Sequence, residues 1–94
     1  MTKKERIAMK KTHIKTIFSI LRDAREKRDS GLVHMAAGYY TAVANQGYIV
    51  TALDRELMEN IFGVHLAFVK RDPEAVGAER LESLTDMAEE VLLV

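Results

Sequence analysis

Lys4, Lys11, Lys15 and Arg22 recur at intervals of seven, four and seven residues, which at about 100° per residue stacks four cations on one flank of a helix. Cations so spaced can follow a phosphate backbone, and they make this flank the candidate partner or nucleic-acid contact. The same pattern also suits a solvated flank, or one that pairs with Glu82 and Glu89 on a neighbouring helix. Glu79, Glu82, Asp86, Glu89 and Glu90 crowd the outer face of the last predicted helix and form a candidate acidic contact face.

His13, His34 and His65 fall on three different predicted helices, and no pair has the i, i+3 or i, i+4 spacing of a readable metal site. His65 sits in an apolar row, which predicts a hydrogen-bonded core or interface histidine; His13 is expected to be exposed. The chain has no cysteine, so thiol catalysis, disulfides and cysteine-based zinc sites are excluded. There is no glycine-rich phosphate loop, no nucleophile elbow and no Glu-x-x-His motif pointing into a bundle. The expectation is a protein without catalytic residues, metal or cofactor. A helix-turn-helix sought at residues 37–60, with Val43 and Gly47 at its turn, fails on its recognition helix. TALDRELMEN places Asp54, Glu56 and Glu59 where a phosphate-lined groove needs cations or amides.

The elements that must position these groups are helices. Ninety-four residues with one proline and five glycines suffice for one helical domain spanning 1–94. No apolar run approaches the ~18–20 residues of a membrane span, and lysines interrupt the N-terminal stretch where a signal peptide would be apolar. A cytoplasmic location is expected. The formal charge of zero conceals a division: residues 1–28 carry ten Lys/Arg against three Asp/Glu, and residues 29–94 carry four against eleven.

Helices are predicted at about 2–28, 32–46, 52–71 and 74–92, forming an all-α, compact four-helix bundle-like domain with a long amphipathic first helix. In that helix Ile7, Ile14, Ile17, Phe18, Leu21 and Ala24 share one stripe. At ~1.5 Å per residue it reaches about 40 Å, so its N-terminal end should overhang the bundle. Gly31 is the expected left-handed cap. The second helix is apolar on nearly every side and should be buried on several, ending at Gly47; Tyr48–Val50 follows as an extended connector. Thr51 caps the third helix, which carries two apolar rows. Leu53, Leu57, Ile61, Val64 and Phe68 form the expected core face. Asp72 and Pro73 should start the fourth helix, whose core stripe is Leu81, Leu84, Ala88, Val91 and Leu92.

The second row of the third helix, Met58, Phe62, His65 and Val69, exceeds what four helices readily cover. With Tyr39 or Tyr40 it forms the candidate interface of a two-fold homodimer. The functional expectation is a small protein-interaction module, whether adaptor, regulator or inhibitor. The alternative is a nucleic-acid-associated regulator that uses the basic first helix.

Overall fold

The Thr2 side chain accepts a hydrogen bond from the Glu5 amide at 3.1 Å and so starts α1 (Lys3–Lys27). The computed structural model, which describes residues 2–48 and 51–94, continues with α2 (Ser30–Asn45), α3 (Ala52–Val69) and α4 (Ala78–Leu93). This is the expected all-α, four-helix arrangement. Ile49 and Val50, and with them most of the expected connector, lie outside the described residues.

Local chemistry moves three of the expected boundaries. Arg28, not Gly31, takes the left-handed conformation after α1 (φ 48°, ψ 50°). Asp29 then accepts from the Gly31 amide at 2.8 Å, so Gly31 lies inside the first turn of α2 and the α1–α2 link is only two residues long. At the end of α2 the expectation holds. Gly47 (φ 82°) and Tyr48 donate to the carbonyls of Ala44 and Val43, a Schellman ending. Thr51 caps α3 as expected, accepting from the Asp54 amide. α4 starts at Ala78 rather than at Pro73. Asp72 accepts from the Glu74 amide and closes a single turn through Ala75, but Val76 then packs against the core and Gly77 is extended, which stops that turn from propagating.

Ion pairs and cross-helix bonds fix the directions. Lys10 meets Asp54, and Arg28 meets Phe68, so α1 and α3 run parallel. His13 meets Tyr39 across the short α1–α2 link, so those two run antiparallel. His65 faces Thr85, which makes α4 antiparallel to α3. The molecule measures 45 × 22 × 21 Å, its length set by α1.

The core is centred on α1, where Ile14, Ile17, Phe18, Leu21 and Ala24 are all fully buried. Ile7 does not join them. It is 47% exposed on the overhanging end. α2 is buried on one side only, through Val33, Ala36 and Val43, while Met35, Gly38 and Ala42 face solvent. The expectation of burial on several sides fails because no helix packs on that outer face. On α4 the buried line is Leu81, Thr85, Ala88 and Leu92; Leu84 is half-buried and Val91 exposed.

α3 reverses the expected roles of its two rows. Met58, His65 and Val69 are buried together with Ile61 and Phe68, so they present no surface to a second copy. Leu53 is exposed, and Leu57 and Val64 are half-buried. The reason is angular. The apolar arc of α3 runs from Leu53 round to Leu66, and its middle is the line of Met58, Ile61 and His65. The core takes the middle of the arc and leaves one edge over.

Candidate functional site

That leftover edge of α3 meets the displaced side of α4. Leu57, Asn60, Ile61 and Val64 face Leu84, Met87, Ala88 and Val91 across a groove of about 290 Å³. Asn60 is the one polar residue of that lining. The floor is half-buried, whereas Met87 and Val91 stand proud at 60% and 54% exposure. Leu53, at 67%, extends the same strip by one turn of α3. An apolar strip shared by two adjacent helices is the geometry that receives an apolar helix face. Sequence reasoning named most of these residues but placed them in the core. Asn60, in the same row as Leu57 and Val64, was the signal that this side faces water.

Charge is uneven along the groove, although Asp72, Glu74 and Glu79 also lie exposed near its Arg71 and Arg80 end. Because α3 and α4 are antiparallel, Glu56 and Glu90 stand at one end, both exposed. Lys70, Arg71 and Arg80 stand at the other, also exposed. Among the described residues none of these five takes part in an ion pair.

The basic flank of α1 is split in the same way. Arg22 bridges to Asp86 at 3.0 Å and to Glu89 at 2.9 Å, so two of the five acids of the candidate acidic face are spent inside the bundle. The bond from Glu89, outweighing burial, raises the Arg22 pKa above its ordinary value. Lys4, Lys11 and Lys15 are exposed and without an ion-pair partner among the described residues, as are Glu79, Glu82 and Glu90 on α4. Of the expected partners of the flank, Glu89 is used and Glu82 is not.

The remaining candidates are packing groups. His13 is half-buried rather than exposed. Its Nδ1 shares a 2.7 Å hydrogen bond with the Tyr39 hydroxyl, and its ring lies between those of Tyr39 and Tyr48. Tyr40 packs edge-on against Phe62 with centroids 5.6 Å apart, and burial raises the pKa of its hydroxyl. His65 Nδ1 donates to the Ile61 carbonyl at 2.8 Å, while Nε2 faces the Thr85 hydroxyl at 3.4 Å. Thr85 in turn donates to the Leu81 carbonyl at 2.6 Å. Burial lowers the His65 pKa, against a smaller raising effect of the Ile61 bond. His34 is exposed on α2. Among the described residues no three His, Asp or Glu side chains are placed to hold a metal ion, and no helix is long and apolar enough to cross a membrane.

A second recess, of about 260 Å³, lies under the overhang of α1 between Lys3, Arg6, Ile7, Lys10, Gly47 and Tyr48. Its cations are largely engaged. Arg6 donates to the Gly47 carbonyl at 2.7 Å and lies over the Tyr48 ring, and Lys10 pairs with Asp54 at 3.1 Å. No protein-family model, curated protein or solved structure matches this chain.

Proposed function

We propose that this chain is a small protein-interaction module without catalytic chemistry of its own, which acts by seating an apolar helix face in the groove between α3 and α4. The observation that carries this reading is the contiguous line of Leu53, Leu57, Val64, Leu84, Met87 and Val91, three of them more than half exposed. Leaving such side chains in water costs free energy that a partner would recover, at roughly 25 cal/mol per Å² of apolar surface covered. Buried His65 and Thr85 support it further, since each is bonded to a structural neighbour rather than aimed into the groove.

A photoreactive benzophenone side chain in place of Met87, compared with one in place of Ser19 on the exposed side of α1, tests the proposal in cells. Protein adducts should form from position 87 and not from position 19. Absence of any protein adduct from position 87 ends the reading. The second reading, nucleic-acid contact along α1, draws on the unpaired Lys4, Lys11 and Lys15. It predicts binding that falls steeply with salt and collapses on Lys11→Glu with Lys15→Glu.

A further inference from the structure

We infer that the occupant of the α3/α4 groove is a second copy of this chain, laid across it antiparallel about a two-fold axis; this rests on the docking role proposed above. The groove is self-complementary in shape. Its floor, at Leu57, Val64 and Leu84, is half-buried, and its prominent side chains are Met87 and Val91. When α4 of one copy lies antiparallel on α4 of the other, the Met87 that projects from each reaches the trough beside Leu84 of its mate. Both copies gain the same burial, as an isologous interface requires.

The groove is also self-complementary in charge. Arg80 stands one helical turn before Leu84 on the groove side of α4, and Glu90 flanks Met87 and Val91 near its other end. Reversal of direction brings Glu90 of each copy to the Arg80 end of the other. The same rotation brings Glu56 at the start of α3 towards the Lys70–Arg71 end of its mate. All five residues are exposed and, among the described residues, without ion-pair partners in the single chain. A parallel pairing would set Glu56 and Glu90 against their own copies, and the like charges disfavour it. A continuous helix of another protein meets the apolar requirement, but it would have to be basic at one end and acidic at the other in this order. The chain itself already meets that condition.

Sedimentation velocity from low to high micromolar concentration supplies the test, because a strip of this size falls below the ~800 Å² per partner of a standard interface and should associate weakly. The parent should shift from one to two chains over that range. Met87→Glu should remain a single folded chain. Glu90→Lys and Arg80→Glu should each weaken association roughly tenfold, since two-fold symmetry counts each pair twice, and the double variant should restore it. Circular dichroism of each variant separates loss of association from loss of fold. A parent that stays single throughout, or a double variant that behaves as the sum of its parts, overturns the inference. If the parent stays single while position 87 still cross-links a different protein, the groove is a docking site for that protein and only the second copy is wrong. No adduct at all removes both.

Discussion

Met58→Ala and Leu53→Ala, made separately, decide whether the core runs through the middle of the α3 arc or along its Leu53 edge. Met58 is fully buried, and truncation removes three heavy atoms from within the core cluster. Such deletions cost about 2–5 kcal/mol, the lost transfer energy plus the cavity left behind. Leu53 is 67% exposed, so only about a third of its possible burial energy is at stake. That is roughly 0.5–1 kcal/mol, and the higher helix propensity of alanine offsets part of it. The difference, about 1–4 kcal/mol, amounts to a factor of at least about 5 in the folding constant, against a total stability of about 5–14 kcal/mol for a chain of this length. In a domain of this size each kcal/mol of that difference corresponds to about 4–8 °C in melting temperature. Urea unfolding followed by helical circular dichroism is the assay, run at low micromolar concentration so that self-association adds nothing. Equal losses, or a larger loss at Leu53, refute the placement of the core. They would also remove the groove, because its floor would then be the core.

Acidification should destabilise the fold through His65. The unfolded chain takes up its proton near pH ~6.5, whereas the ring, kept neutral first by burial and then by Arg25 and Arg22 nearby, resists protonation to lower pH. Its contribution is therefore full above about pH 6.5 and is lost as pH falls below it, and His65→Leu should flatten the pH dependence of unfolding midpoints below about pH 6.5. Glu89→Gln should cost about 0.5–1 kcal/mol and Asp86→Asn less, because the Glu89 side chain is 20% exposed and that of Asp86 61%. Both losses should shrink in high salt; a salt-independent loss means the bridge is not what was removed. Arg71→Gly should stabilise the chain by about 0.5 kcal/mol, since Arg71 holds φ 57° and its exposed side chain has no ion pair among the described residues. Arg28→Gly relieves similar strain but loses the Arg28 bond to the Phe68 carbonyl, and should come out near neutral.

What the sequence disclosed was the set of helices and the α1 stripe, because both depend on local periodicity and caps. Thr2, Asp29 and Thr51 each bond an amide two or three residues ahead, and that chemistry is written in adjacent residues. The cap at Asp29 was nevertheless misread, since Gly31 drew attention as a left-handed residue when its role was to sit within the turn that Asp29 closes. Choosing which edge of a wide apolar arc is buried is a tertiary matter. α3 has apolar residues over more than half its circumference, so any of several rotations buries five of them. The rotation adopted satisfies one further condition. It places His65 where the Ile61 carbonyl accepts from Nδ1 and the Thr85 hydroxyl lies beside Nε2, and no hydropathy pattern carries that information. The groove followed from the same rotation and was invisible for the same reason.

The division of charge between α1 and the rest has a structural use that the sum over residues hides. Neither α2 nor α3 has a basic residue in its own last turn, where free carbonyls and the negative end of the helix dipole favour one. α1 supplies both from outside. Arg6 donates to the Gly47 carbonyl just beyond α2, and Arg28 donates to the Phe68 carbonyl at the end of α3, with its guanidinium 4.2 Å from the centre of the Phe68 ring. Arg22 takes the acids of α4, and Lys10 takes Asp54 in the first turn of α3. Each of the three following helices is thus tied to α1 by a cation at a different height, so sliding α1 by one turn would break all four contacts together. Individually these exposed or half-exposed contacts are weak, about 0–1 kcal/mol each. Their collective effect is on register rather than depth. The cations of α1 select one alignment of an otherwise slippery apolar stripe, and among the described residues Lys3, Lys4, Lys11, Lys15 and Lys27 take part in none of these contacts.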